Sequence, residues 1–263
     1  MRITTQQHPA MGADAGPPAR PSTPSPLTEA LRAAPPGLHA GGTEYWGLSW
    51  AALEWLEQEV TPGMATLETG AGSSTIIFAA GGAEHEAVTP DAGEEERIRS
   101  ECFRRGIDSR HVRFLLGPSH EALPRWAARP LDLVLIDGAH GFPYPILDWW
   151  YLAPHLRVGG RMLLDDAYMP PVATLLDSLA VQSAWEIVDR LGYRTVVVRK
   201  VGEALPSFDW TGERLGGRMS FRYLPPLRRG AAAVRHRFFS TEMGLRMVAL
   251  ARRRSRLRWH KRG

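Results

Sequence analysis

The stretch Ala65-Thr66-Leu67-Glu68-Thr69-Gly70-Ala71-Gly72-Ser73-Ser74-Thr75 decides how the rest of the chain is read. Met64 to Leu67 is a short apolar run of the kind that forms a buried parallel strand. An acid follows, then two glycines separated by one alanine, then Ser73-Ser74-Thr75 and an apolar helical segment from Ile76 to Ala80. The pattern predicts a strand, a glycine loop and a helix. Glycine suits a sharp turn and lets a ligand approach the backbone without a Cβ in the way. The first N–H groups of the helix have no partner within it, so they suit an anionic group. An ordinary glycine-rich βα turn would read the same way, and the neighbouring segments must decide.

Those segments alternate. Upstream, Leu27 to Ala34 predicts a short helix ended by Pro35-Pro36-Gly37, and Ser49 to Val60 a helix capped by Ser49 and ended by Pro62-Gly63. Downstream, strands are predicted at 85–89, 111–116, 131–136, 160–164, 185–188 and 193–200. Helices are predicted at 94–106, 121–128, 145–156 and 171–180. Such alternation implies an α/β fold with a mostly parallel, doubly wound sheet covered on both faces. The tight turn at Arg190-Leu191-Gly192 is too short for a crossover, so the last strand pairs antiparallel with the sixth.

Composition sets outer bounds. The 263 residues include one cysteine, Cys102, which excludes an intrachain disulfide and a multi-cysteine zinc site. No apolar run approaches the roughly 20 residues of a membrane span. The N-terminal residues lack the charged-then-apolar order of a secretory signal, and a cytoplasmic location is the expectation. Residues 1–26, rich in Pro, Ala, Ser and Thr, read as disordered. Residues 27–205 read as the folded domain and 206–263 as a basic extension. From Thr211 onward 15 Lys and Arg face two acids, a charge of +13, whereas the preceding 210 residues carry −9. The tail could bind an anionic membrane surface or nucleic acid, could dock on the acidic body or on a second subunit of a homo-oligomer, or could be solvated. The Arg- and Ala-rich composition is associated with a bacterial, high-GC source.

With the strands in order, three motifs line up. Glu68, Gly70 and Gly72 form Glu-x-Gly-x-Gly. The fourth strand runs into Leu135-Ile136-Asp137-Gly138-Ala139-His140. Arg157-Val158-Gly159-Gly160 precedes Leu163-Leu164-Asp165-Asp166. Over residues 45–200 the chain resembles the class I S-adenosylmethionine-dependent methyltransferases, with their Rossmann-like seven-stranded sheet. Within that class it is similar to bacterial small-molecule O-methyltransferases of the macrolide-sugar and catechol types.

The resemblance implies roles. Glu68 and the loop Gly70, Ala71, Gly72, Ser73 and Ser74 would hold the amino-acid end of S-adenosylmethionine. The family's ribose-binding acid falls at Thr89, a departure, with Asp91 two residues on. Ser119 stands where the family contacts the adenine edge, or is a plain turn residue. Asp137, Asp165 and Asp166 would converge on one cleft and hold Mg²⁺, since clustered carboxylates call for a cation. The blander alternative has Asp137 touching the cofactor or capping a helix while Asp165 and Asp166 bond the loop. His140 stands where catechol-type enzymes keep the base that takes the acceptor's hydroxyl proton, and is otherwise a loop histidine. Tyr45 and Trp46 could form part of an acceptor lid, and Tyr144, Tyr168 and Met169 could stack on an acceptor. The expected activity is metal-assisted methyl transfer to a hydroxyl of a small molecule. The alternatives are a nucleic-acid methyltransferase anchored by the tail, against which the lack of an Asn-Pro-Pro-Tyr-like motif counts, and a non-catalytic cofactor-binding protein.

Overall fold

A computed structural model describes residues 25–39 and 47–203, all within the first of two units, Met1–Arg214. The expectations for the N-terminal segment before Ser25, for Tyr45 and Trp46, and for the basic extension lie outside the described residues.

Two helices come first, α1 (Pro26–Ala33) and α2 (Trp50–Glu59). Ser49 caps α2 as its sequence predicts, its hydroxyl accepting from the Ala52 N–H at 3.2 Å. Then follow β1 (Ala65–Thr69), α3 (Ser73–Ala80), β2 (Glu84–Thr89), α4 (Ala92–Arg104), β3 (Val112–Leu116) and a one-turn α5 (Ser119–Ala122). The second half is β4 (Leu131–Ile136), α6 (Tyr144–Leu152), β5 (Leu156–Leu164), α7 (Pro170–Ala180), β6 (Trp185–Leu191) and β7 (Thr195–Lys200). Several boundaries differ from expectation, among them the end of β6, which runs past Val188 to Leu191. Helix α4 begins two residues early because the Asp91 carboxylate accepts from the Gly93 N–H at 2.8 Å and caps it. The helix expected over 121–128 begins at Ser119 and passes into a 3₁₀ turn at Leu123–Arg125, where Pro124 brings no N–H to continue it. Helix α6 stops at Leu152, and Leu156 instead opens β5, whose pairing with β4 shifts between Leu131 and Leu133.

The seven strands form one sheet in the order β3-β2-β1-β4-β5-β7-β6. The first five pair in parallel, and β7 runs antiparallel between β5 and β6. All five residues of β1 are buried, as a central strand covered on both faces requires. Strand alternation sends Leu133 and Leu135 to one face and Val134 and Ile136 to the other. The first face packs with Leu53, Leu56 and Phe78 of α2 and α3; the second packs with Trp149, Leu152 and Leu175 of α6 and α7. Full burial of a side chain such as Phe78 contributes about 2–3 kcal/mol. Buried Lys200 ties the end of α6 to the sheet, its Nζ donating to the carbonyls of Ala153 at 3.2 Å and Leu156 at 2.8 Å. The order of strands reverses between β1 and β4. In open α/β sheets ligands bind at that switch point, outside the carboxyl ends of the strands.

Candidate active site

A cavity of about 730 Å³ opens at that point, within the usual range for small-molecule sites. Gly70 to Ser74, Thr89, Ser119 and Asp137 line it, as do His140 and Asp166. Glu68, Asp91 and Asp165 do not, and each has a physical reason.

Glu68 is fully buried beneath the glycine loop. Its Oε1 accepts from the Thr75 hydroxyl and meets His85 Nε2 at 3.1 Å. The Thr75 oxygen in turn accepts from the Gly72 N–H at 3.0 Å. His85 is anchored by Thr66 Oγ1 at 2.8 Å and stacks on Phe78 at 4.1 Å. The acid therefore braces the loop from behind, with one oxygen, Oε2, still without a hydrogen-bond partner among the described residues. Gly70 presses the loop onto the end of β4: a Cβ there would lie 2.2 Å from the Asp137 carbonyl oxygen. The first turn of α3 follows directly and offers its N–H groups to an anion.

Asp91 serves α4 instead of the cavity. Besides capping the helix it pairs with Arg97 at 2.6 Å, and that guanidinium holds its carboxyl below the usual range. The acid that does reach the wall near Thr89 is Glu94, in the first turn of α4. It accepts from the Thr89 hydroxyl and meets His39 Nδ1 at 2.7 Å. The acidic run Glu94-Glu95-Glu96 carried this signal, but it also reads as an ordinary acidic first turn of a helix.

The acids beyond β4 and β5 divide. Asp165, expected as a metal ligand, turns away from the cavity, accepting from Thr195 Oγ1 at 2.5 Å and from Arg194 at 2.8 Å. Asp166 has φ +51°, the left-handed region that Asp tolerates better than most residues, and it faces the cavity. His140 Nε2 lies 3.2 Å from Asp166 Oδ2 and 3.9 Å from Asp137 Oδ1. These three side chains can present ligand atoms within 4.8 Å of one another. Among the described residues the cluster within metal-ligand reach is thus Asp137, His140 and Asp166, with Asp165 beside it but not part of it. Arg194, before β7, supplies a cation that sequence reading missed. Its Nη2 is 2.9 Å from Asp166 Oδ1 as well as bonded to Asp165. Burial first, then the charges of Asp165, Asp166 and Glu68, push the Asp137 carboxyl well above the usual range, and Arg194 opposes them.

Residues 67–167 match the family model described as a methyltransferase domain. That span, and not the whole chain, is what the family model shows to be a methyltransferase domain. The cofactor-bound protein Rv0187 from MTB is similar in fold, 19% identical, with a TM-score of 0.54 over 66% of this chain and 89% of that one. A candidate O-methyltransferase from Klebsiella pneumoniae is 17% identical, with a TM-score of 0.54 over 70% and 93%. TrmN from Thermus thermophilus is 22% identical at a TM-score of 0.43, and the alignment covers 58% of this chain and 48% of that one. No curated protein matches the chain. Among the described residues no helix is long and apolar enough to cross a membrane.

Proposed function

We propose that this methyltransferase transfers a methyl group to a hydroxyl of a small molecule, with Asp137 and Asp166 holding a divalent metal such as Mg²⁺ and His140 acting as general base. The observation that carries the proposal is His140 Nε2 set 3.2 Å from Asp166 on the wall of the same cavity as the glycine loop. The residues suit both S-adenosylmethionine and a divalent metal. Glu68 keeps an unpartnered buried carboxylate oxygen beneath the loop that would hold the cofactor's amino-acid end. Asp137 and Asp166 are hard oxygen donors, and Mg²⁺ is held by one or two carboxylates with waters completing its shell. S-adenosylmethionine supplies an electrophilic methyl group, and a divalent ion supplies charge that lowers the pKa of an acceptor hydroxyl.

With two carboxylates sufficient for the metal, His140 is left to the proton. A histidine takes a hydroxyl proton near neutral pH, and its contact with Asp166 fixes where the ring stands. Arg194 keeps Asp165 and Asp166 apart in function, spanning both and holding Asp166 toward the cavity. The braced glycine loop fixes the other reactant, and such positioning supplies much of the acceleration of a two-reactant step.

The test is transfer of labelled methyl from S-adenosylmethionine to a panel of hydroxylated small molecules and RNA, with and without a chelator. The expected result is methylation of a small hydroxylated compound, lost on chelation and restored by Mg²⁺. His140→Ala should lower kcat by about 10²- to 10⁴-fold. Chelator-resistant transfer would remove the metal from the reading. Methylation confined to RNA would remove the small-molecule acceptor, in favour of anchoring by the basic tail.

A further inference from the structure

Behind the glycine loop stands a histidine that the reaction above does not use. His85 lies in β2 and is buried. A polar ring in such a place is unfavourable unless its nitrogens find partners, and here both do. Nδ1 meets Thr66 Oγ1 at 2.8 Å, and Nε2 meets Glu68 Oε1 at 3.1 Å. The ring lies flat against Phe78, 4.1 Å between centroids and 12° between planes. His85 pairs in register with Thr66, and Glu68 is two residues further along β1, on the same face of the sheet. Phe78 belongs to α3, the helix that the loop opens. His85 therefore touches the strand before the loop and the helix after it, from a neighbouring strand.

The direction of each proton in this cluster follows from its chemistry. A backbone N–H only donates, and a carboxylate only accepts. The Gly72 N–H donates to the Thr75 oxygen, and the Thr75 hydroxyl spends its one proton on Glu68 Oε1. His85 must then present its own proton from Nε2, and Nδ1, left without one, accepts from the Thr66 hydroxyl. The Gly72 N–H is thus committed inside the loop, and the shape of the loop depends on where the Glu68 carboxylate points. Among the described residues Oε2 has no hydrogen-bond partner, so the contacts at Oε1 hold that carboxylate. A long side chain loses much rotamer freedom when it is held. Two donors arriving from different elements fix the oxygen where one would let it swing.

We propose that His85 is a positioning residue for cofactor binding. Through Nε2 it locks Glu68, and through Glu68 and Thr75 it holds the glycine loop in the shape that accepts an S-adenosyl ligand. The inference rests on that loop being the cofactor site, and it adds a residue from β2 that lies outside the loop's own motif.

Calorimetric titration of the full chain with S-adenosylhomocysteine separates this role from simple packing. An asparagine side chain ends near the place of Nδ1, whereas a glutamine reaches the place of Nε2. His85→Asn and His85→Gln both lose the stack on Phe78, and both should lower Tm. Only His85→Asn loses the contact with Glu68, so it should bind about tenfold more weakly than His85→Gln, the value of a hydrogen bond to a charged group. In a Thr75→Val background the path to the loop is already cut, and the two should bind alike. Partial unfolding lowers the number of sites and leaves the affinity of the remaining ones alone. If neither histidine variant folds, Thr66→Val leaves the ring in place but unanchored, and it should weaken binding severalfold. Equal affinities of the Asn and Gln variants would overturn the proposal. So would a gap that persists with Thr75→Val, or a Thr66→Val protein that binds as wild type does. Wild type that binds no S-adenosylhomocysteine would overturn the cofactor reading, and the proposal with it.

Discussion

Replacing Gly70 with alanine tests how the cofactor loop is built. Gly70 has φ +88°, where an L-residue with a Cβ is strained by roughly 1–2 kcal/mol. The new methyl would also lie 2.2 Å from the Asp137 carbonyl oxygen and 3.3 Å from Gly138 Cα. Backbone cannot swing aside as a side chain can, so the loop or the end of β4 must move, at about 1–3 kcal/mol by the measure of overpacked cores. The sum is about 2–5 kcal/mol, a large fraction of a typical 5–15 kcal/mol. For a domain of this size it lowers Tm by roughly 4–20 °C. Gly72→Ala is the control. Its φ of 178° is extended, and its nearest neighbours are His39 ring atoms at 3.7 and 3.8 Å, ordinary contact distances. That variant should stay within about 1 kcal/mol of wild type. Thermal unfolding of the three proteins, with S-adenosylhomocysteine titrations beside it, separates the two glycines. A Gly70→Ala protein that melts with wild type and binds the ligand as tightly would refute the close approach of loop and strand.

Lys200→Met should cost about 1–3 kcal/mol in urea unfolding, because the Ala153 and Leu156 carbonyls lose their buried donor. Burial pushes the Cys102 thiol up to about 11, so the native protein should resist thiol reagents at pH 8 and react once denatured. Asp137→Asn should raise the Tm of metal-free protein at pH 7 while abolishing transfer. The folded-state pKa of Asp137 is raised, so its contribution to stability is fully present below the unfolded value of about 3.9 and is lost as pH rises. The gap between variant and wild type should therefore widen from pH 4 upward, and a constant gap would count against the shift.

Much of the fold could be read from the chain because the physical signals were local. Buried parallel strands are continuous apolar runs, and Leu131 to Ile136 could be little else. The turn expected at 190–192, which the structure places at 192–194, was too short for a crossover and so implied the antiparallel last pair. The boundaries that moved were those where one residue had two uses. Asp91 was read as a ligand because the motif wanted an acid nearby, yet an Asp before Ala92-Gly93-Glu94 is equally a cap, and the cap is what the structure contains. The start of β5 was missed: the strand was expected to open at Gly160, yet it begins at Leu156 and passes through Gly159.

The acids show where sequence reasoning stops. Three carboxylates at the ends of two neighbouring strands were expected to converge, but consecutive residues of an extended chain point to opposite sides. Asp165 and Asp166 could face one cleft only if the backbone between them broke that alternation. The structure resolves the conflict in two ways at once. Asp165 keeps its direction and is satisfied by Thr195 and Arg194 on the β6–β7 hairpin. Asp166 leaves the strand in the left-handed conformation and so reaches His140. Arg194 spans both acids, and it is placed by strand β7, almost thirty residues later. Spacing along the chain says which residues arrive at a strand end, whereas the direction each side chain takes is decided by a partner from a distant strand. A site built of acids therefore cannot be counted from its motif alone: the cation already present decides how many carboxylates remain to bind another.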